Sequence, residues 1–85
     1  MSAADRESVK KVVLDIVSTV LDIPAEDINE DMELDSDLRI DSLALYEIVV
    51  EVEERFAMRI SNDEADGLCT VGEAIDFVAG RAGRG

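Results

Sequence analysis

The triplet Asp41-Ser42-Leu43 places a serine where an irregular acidic stretch gives way to a helical pattern. A serine at such a position can act as a nucleophile, as a helix cap or as a point of covalent attachment. Nucleophilic catalysis needs a base within hydrogen-bond reach, and the chain contains no histidine. Lys10 and Lys11 lie on a polar helix face, so a serine–lysine pair has no support. The sequence therefore predicts no catalytic residue.

Nor do the acidic residues before the serine match a calcium-binding loop. Asp27, Asn29 and Asp31 have the spacing that opens such a loop. Met32, however, stands where the loop needs glycine, and Leu38 stands where it needs a bidentate glutamate. We expect no dedicated metal site.

The negative charge of the chain is concentrated around the serine. The 85 residues carry a formal net charge of −13. Residues 22–54 contain thirteen acids and a single base, Arg39, whereas the segments on either side are nearly neutral. Binding to a phosphate backbone requires clustered lysine and arginine, which excludes nucleic acid as a partner. Such an acidic surface favours basic protein partners.

Several features predict a protein of the cytoplasm, which we also expect to be a monomer. The opening residues lack the apolar core of a signal peptide, and no run approaches the roughly 18 apolar residues of a membrane span. Cys69 is the only cysteine, so no internal disulfide can form, as expected in a reducing compartment. We expect its side chain to be buried as a small apolar group.

Apolar periodicity predicts an all-α fold, a small four-helix bundle of three main helices and one short helix. The first helix should run from about Asp5 to Leu21, because its valines and isoleucines recur at i, i+3, i+4 and i+7. The second should begin at Asp41 or Ser42 and end near Phe56. The long connection between them carries apolar residues throughout, so we expect it to be ordered.

The remaining segment should hold a short helical turn and a final helix. Residues 61–66 can form only a single turn, which Gly67 closes. Thr70 and Glu73 have the spacing of a capping box and should open the last helix. The expected buried face of that helix comprises Val71, Ala74, Ile75 and Val78. Glycines predict a frayed tail over residues 80–85, within one domain that spans residues 1–85.

The second helix has more apolar surface than a bundle of this size needs. Its apolar side chains, placed at 100° intervals, sweep an arc of about 220°. The remaining arc carries Glu47, Glu51 and Glu54, at i, i+4 and i+7, with no cation among them. Like charges at this spacing cost an isolated helix about 0.2–0.5 kcal/mol per pair. These glutamates are either a plain solvated face or a recognition surface.

From Leu38 to Val78 the sequence resembles the acyl carrier proteins. The D-L-G-x-D-S-L-type motif of that family is matched here by DLRIDSL, and its E-E-x-F helix ending by EERF. An I-P-D-E-like segment is matched by ISNDE, and a T-V-x-x-A-like final helix by TVGEA. The triplet alone is a weak signal, but the ordered set is specific. With the first helix and the loop after it, the resemblance covers almost the whole chain.

This resemblance implies a role for Ser42. In acyl carrier proteins the matching serine carries phosphopantetheine, derived from coenzyme A, through a phosphodiester, and the thiol of this arm holds an acyl chain as a thioester. A helix N-terminus suits a phosphodiester because it presents free N–H groups and a partial positive charge. The chain then needs no catalytic residue, because a phosphopantetheinyl transferase attaches the arm and ketosynthases, transacylases and related synthase enzymes act on the acyl chain.

By the same resemblance, the second helix is the surface that docks on basic patches of those enzymes. The residues that match the family's acidic positions are Asp41, Glu47, Glu53 and Glu54. Leu43 and Glu51, the latter an addition to the family pattern, are also expected to recognise partners. Part of the apolar arc is expected to line a cavity for the acyl chain. The candidates for that cavity are Tyr46, Val49, Val50 and Val52.

Two positions depart from the family pattern, and several functions stay open. Arg39 stands where glycine is common, so a positive φ there would be strained, and Ser61 replaces a common proline. Peptidyl and aminoacyl carriers usually have glycines before the serine and are less acidic, so Asp41 favours acyl chains. Fatty acid and polyketide synthesis both fit. The alternative from another class is an unmodified acidic helical interaction domain.

Overall fold

The computed structural model describes residues 6–82, which form helices joined by ordered loops. The helices are α1 (Arg6–Leu21), a 3₁₀ turn (Ala25–Asp27), α2 (Ser42–Phe56), α3 (Asn62–Asp66) and α4 (Val71–Ala82). No strand occurs between residues 6 and 82, where only an isolated bridge joins Glu33 to Thr70. The all-α prediction is confirmed, while the expected start of the first helix at Asp5 lies outside the described residues. No helix in this part of the chain is long and apolar enough to cross a membrane.

The core forms where α1 packs against α2 and α4. All three helices contribute β-branched side chains, which are stiff and pack without loss of much rotamer freedom. The buried residues are Val9, Val13, Ile16 and Val17 of α1, Ile48 and Val52 of α2, Val71, Ile75 and Val78 of α4, and Ile28 of the connection between α1 and α2. Burying each such side chain contributes about 1.5–3 kcal/mol relative to exposure. Ala74, predicted to be buried, is half-buried.

Backbone hydrogen bonds to the start of α4 order the long connection between α1 and α2. The Val71 N–H donates to the Met32 carbonyl at 3.0 Å, and the Gly72 N–H donates to the Glu30 carbonyl at 2.9 Å. A Cβ at Gly72 would lie 3.2 Å from that Glu30 oxygen, tighter than an ordinary contact. Glycine at position 72 therefore lets the loop lie directly against the helix.

Ion pairs hold the same loop to the first helix. Arg6 Nη2 lies 2.7 Å from Glu30 Oε1, and Lys10 Nζ lies 3.2 Å from Glu30 Oε2. Arg6 Nε also lies 2.6 Å from Asp76 Oδ1 of α4. We call these four residues the α1 ion-pair cluster. Hydrogen bonds from Arg6 and then Lys10 lower the pKa of Glu30 to about 2.

The capping box is found at the start of α3 rather than at the start of α4. Ser61 Oγ accepts from the Glu64 N–H at 3.1 Å, and Glu64 Oε1 accepts from the Ser61 N–H at 3.0 Å. The S-x-x-E spacing was visible in the sequence but was overlooked. At α4, Thr70 Oγ1 accepts from the Glu73 N–H, but the Glu73 carboxylate accepts from the Cys69 N–H instead of closing the box. The predicted box at Thr70–Glu73 is therefore half formed, because the chain before Thr70 runs extended beside the loop.

The last helix continues past Gly80, where a frayed tail was expected to begin. Arg81 anchors this final turn, because its Nη1 donates to the Arg59 carbonyl at 2.9 Å and its Nη2 pairs with the Glu64 carboxylate. The pKa of Glu64 is lowered to about 2, mainly by the hydrogen bond from the Arg81 guanidinium and next by the bond from the Ser61 N–H. Residues 83–85 of the expected tail lie outside the described residues.

Candidate functional site

Ser42 is the first residue of α2, and its side chain is exposed. Asp41 precedes it in an extended conformation, and Asp41 Oδ1 accepts from the Ala44 N–H at 2.8 Å. The Leu45 N–H donates to the Asp41 carbonyl at 2.9 Å and closes the first turn. Asp41 is therefore the N-cap, which agrees with the predicted helix start at Asp41 or Ser42. The hydroxyl of Ser42 is left free by this arrangement.

Two backbone N–H groups at the start of α2 are also free. Within residues 6–82, neither the Ser42 N–H nor the Leu43 N–H donates a backbone hydrogen bond. Unsatisfied N–H groups in the first turn carry the positive end of the helix dipole. An anion attached to Ser42 Oγ would lie beside them, so the site suits a phosphodiester.

Two open surface grooves meet at Ser42. The first runs between the long loop and the segment before α4, and its lining includes Asp35, Ile40, Leu68 and Cys69. The second runs between α2 and α3, and its lining includes Tyr46, Val49, Asn62 and Asp66. A flexible group attached to Ser42 therefore has two troughs along which it can lie.

The loop that delivers Ser42 is held by short backbone links. The Leu34 N–H donates to the Cys69 carbonyl at 2.9 Å, and the Ile40 N–H donates to the Leu34 carbonyl at 2.9 Å. Arg39 lies between these two fixed points and has a φ of 54°. The positive φ anticipated from the family's glycine is thus present, and a side chain occupies a conformation that L-residues rarely adopt.

The four candidates for an acyl cavity separate into two pairs. Val49 and Val52 line an apolar interior cavity of about 40 Å³. Tyr46 is 62% exposed and Val50 is half-buried, and neither lines that cavity. An apolar cavity that binds benzene measures roughly 150 Å³. The interior in this conformation therefore has no room for an acyl chain.

The outer side of α2 presents acids and apolar groups together. Glu47, Glu51 and Glu54, which we call the acidic face, are all exposed, and none forms an ion pair within residues 6–82. Leu43 is 67% exposed and Tyr46 is 62% exposed, which accounts for the excess apolar arc of the helix. No group of three or more acids or thiols in the described chain is placed to hold a metal ion.

Glu53 differs from its neighbours on α2. It is half-buried, and its Oε2 accepts from the Ile60 N–H at 2.8 Å. Its carbonyl accepts from the N–H groups of Ala57 and Met58, which end the helix. The carboxylate expected to meet a partner is therefore occupied within the fold. Sequence reasoning missed this role because the donor lies seven residues away in a loop.

Cys69 is exposed, and the prediction that it is buried is wrong. The residues on either side of it, Leu68 and Thr70, are half-buried. Adjacent side chains alternate along an extended segment, so the neighbours turn inward and the thiol turns outward. It faces the first groove beside Ser42.

Comparison with known proteins gives a consistent result. Residues 11–78 match the family described as "Phosphopantetheine attachment site". The acyl carrier protein of Acidothermus cellulolyticus is 38% identical over 77 residues, which cover 91% of this chain and 92% of that protein. The acyl carrier protein of Rubrobacter xylanophilus is 35% identical over 74 residues, covering 87% and 91%. The solved structure of the Enterococcus faecalis acyl carrier protein superposes with a TM-score of 0.74 at 35% identity and covers 88% of this chain and 95% of that one.

The helical fold and the match over residues 11–78 define a phosphopantetheine-bearing carrier. More narrowly, the chain belongs to the acyl carrier protein family. Members of this family are carriers rather than catalysts, and they work with synthase enzymes.

Proposed function

We propose that Ser42 carries the phosphopantetheine arm and that the chain presents acyl groups to fatty acid or polyketide synthase enzymes. The observation that carries this proposal is the exposed Ser42 hydroxyl at the start of α2, which the Asp41 cap leaves unused. When bound, phosphopantetheine supplies a flexible arm whose terminal thiol holds an acyl group as a thioester.

The residues around Ser42 would orient and stabilise the attached group rather than catalyse its attachment. Asp41 fixes the first turn of α2, so Ser42 Oγ projects from a defined position. The free N–H groups of Ser42 and Leu43 favour the negative charge of a phosphodiester. A base from a phosphopantetheinyl transferase would take the Ser42 proton, and we assign the chain no catalytic step of its own.

A mixed acidic and apolar surface beside Ser42 would dock the partner enzymes. Leu43 and Tyr46 are three residues apart, so they share a side of α2, and Glu47 follows one turn after Leu43. A ketosynthase or transacylase with an apolar contact ringed by basic residues would fit this surface. Docking there brings the tethered group close to the partner's active site, so the reaction proceeds at high effective concentration.

The acyl group should travel on the outside of the bundle. The interior cavity of about 40 Å³ is small, whereas both grooves are open at Ser42. The groove between α2 and α3 offers apolar carbon from Val49 beside polar atoms of Asn62 and Asp66. Such a surface suits a short or oxygenated chain. We place the carrier in the cytoplasm as a monomer, where its arm stays reduced.

Intact mass spectrometry tests the attachment site. Co-expression with a phosphopantetheinyl transferase should increase the mass of the wild-type chain by one phosphopantetheinyl group. Ser42→Ala should abolish the increase without loss of helicity, because Asp41 still caps α2. Ser61→Ala is the matched control, since Ser61 is also an exposed serine at a helix start, and it should be modified normally. A wild-type chain that gains no mass would instead be an unmodified interaction domain.

A further inference from the structure

Arg39 is an arginine at a backbone position that favours glycine. Three described non-glycine residues have positive φ, namely Asp22, Arg39 and Ala57. Asp22 directly follows α1, and Ala57 is the C-cap of α2. Helices commonly end in this left-handed conformation. Arg39 ends the turn of residues 34–38, which the bonds from the Leu38 N–H to the Glu33 carbonyl (3.0 Å) and from the Ile40 N–H to the Leu34 carbonyl (2.9 Å) close, so its left-handed backbone also belongs to a turn end. A glycine would satisfy this backbone better, so an arginine side chain at this position calls for a reason.

The charge of Arg39 is unusual for its segment. It is the only base between residues 12 and 54, a segment rich in acids. Arg6, Lys10, Arg55 and Arg81 each lie within 4.0 Å of a carboxylate. Arg39 forms no such pair in the described part of the chain, and its side chain is exposed. Its guanidinium therefore keeps a full set of donors free in surroundings that offer many acids.

Arg39 also stands close to Ser42 along a chain that is held in place. The Ile40 N–H is bonded to the Leu34 carbonyl, and Asp41 caps α2. Three residues span at most about 11 Å, so the Cα atoms of Arg39 and Ser42 are no farther apart than that. A guanidinium fork matches the paired oxygens of a phosphodiester.

We propose that Arg39 is a positioning residue that pairs with the phosphodiester once Ser42 is modified. This inference rests on the proposed function. The free N–H groups of α2 would contact the phosphodiester from the helix, and Arg39 would contact it from the loop. The arm would then leave the protein in a restricted direction, and the added negative charge would be offset locally. The glycine common in the family would relax the backbone but supply no cation.

The test compares unmodified and modified forms of three proteins: wild type, Arg39→Gln and Arg59→Gln. Arg39→Gln removes the charge but keeps a side chain at the strained position. Arg59→Gln is the matched control, because Arg59 is exposed and has no acid partner within residues 6–82. Both variants have the same net charge, so a general charge effect would change them equally.

The first readout is the ³¹P resonance of the phosphodiester. Its position in Arg39→Gln should differ from wild type, whereas Arg59→Gln should match wild type. Raising the salt concentration should move the wild-type resonance towards that of Arg39→Gln, because salt screens an exposed pair. The second readout is the Tm of the modified form minus the Tm of the unmodified form, measured at low salt. This difference should be about 2–4 °C lower in Arg39→Gln than in wild type.

The outcomes distinguish this inference from the proposed function. If the mass increases but the ³¹P position is the same in wild type and Arg39→Gln, Arg39 does not position the arm and the carrier function stands. If no protein gains mass, both ideas fail. Arg39→Gly provides a second variant that should fold at least as stably as wild type. Its ³¹P resonance should match that of Arg39→Gln, and a wild-type position for Arg39→Gly would also overturn the proposal.

Discussion

Acids of this chain occur in two contrasting regions. In the α1 ion-pair cluster, Glu30 is bonded by Arg6 and Lys10 and joins a loop to a helix. On the acidic face of α2, Glu47 and Glu54 are exposed and meet no cation in the described chain. The net charge of −13 does not distinguish these regions. We therefore expect an acidic residue to stabilise this fold only where a donor lies opposite it.

The unpaired region therefore calls for a reason outside the fold. Three like charges on one side of α2 repel one another and contribute nothing to the core. They lie on the helix that begins at Ser42, where a basic partner enzyme would have to approach. Unpaired acids produce a stronger outward field than paired ones, and such a field speeds the encounter with an oppositely charged surface.

The largest expected effect follows from reversing two charges of the acidic face. Glu47→Lys with Glu54→Lys should slow acyl transfer by a cognate synthase or transacylase at least about tenfold at low salt. Folding should be retained or improved, because Glu51 would then have a lysine at i−4 and at i+3. Transfer is measured after Ser42 has been loaded, at low and at physiological salt, with circular dichroism on the same samples.

A control with the same change in net charge distinguishes an effect of where the charges lie from an effect of the total charge. Glu26→Lys with Asp27→Lys alters two exposed acids of the 3₁₀ turn, outside α2. This control should transfer acyl groups nearly as well as wild type. Equal slowing in both double variants would show that only total charge matters, and unchanged transfer in both would make the acidic face a plain solvated surface.

Glu53 and Glu54 allow an acid with a hydrogen-bond donor and an acid without one to be compared within a single turn of α2. Glu53→Ala removes the acceptor of the Ile60 N–H and should lower the free energy of unfolding by about 1 kcal/mol. Glu54→Ala, at an exposed position, should change it by less than about 0.5 kcal/mol. Urea unfolding measures both. Similar stabilities for the two variants would mean that the Glu53 bond is replaced by water at little cost.

Most of the helical architecture could be predicted because it depends on local pattern. The spacing of Val9, Val13 and Ile16 requires one buried side of α1 whatever lies opposite it. Ser42 could be proposed as the attachment site because its motif is contiguous in sequence, and the cap at Asp41 is a local interaction. Such features need no knowledge of how distant segments meet.

Sequence reasoning missed the capping box at Ser61 and Glu64 although its spacing is local, but the other missed features depend on distant partners. Glu53 and Glu54 are the same residue type, and only the position of the Ile60 N–H separates their roles. Cys69 is exposed because its segment runs extended beside the loop, an arrangement set by the bonds of Leu34. Periodicity along a single helix cannot reveal such donors, since each belongs to another element.

Acid pH should weaken the paired region. The pKa of Glu30 is about 2 in the folded chain, below its ordinary value. A lowered folded-state pKa contributes stability that is present above the unfolded-state pKa and is lost as pH falls through the folded-state value. The Tm advantage of wild type over Glu30→Gln should therefore shrink between about pH 5 and pH 2. Because Glu30 is accessible to solvent, the effect should be modest.

The control for this pH effect is Glu26→Gln, which removes an exposed acid outside the α1 ion-pair cluster. Its Tm should follow that of wild type across the same pH range. Parallel curves for wild type and Glu30→Gln would show that the bonds from Arg6 and Lys10 do not persist in solution.

The smallest expected effect is the dependence of Tm on salt, in which the two regions act in opposite directions. Screening weakens the attraction within the α1 ion-pair cluster but also relieves repulsion among the unpaired acids, and the Debye length falls from about 30 Å at 0.01 M to about 10 Å at 0.1 M. Because the net charge is −13, the second effect should prevail, and salt should raise the Tm of wild type. Reversing Glu47 and Glu54 to lysine should reduce this slope, since it removes repulsion. Arg6→Gln should increase the slope, since it deletes an attraction that salt would have weakened and adds to the net negative charge. Calorimetry across that salt range checks all three proteins, and equal slopes would mean that pairing in one region and its absence in the other make no difference to stability.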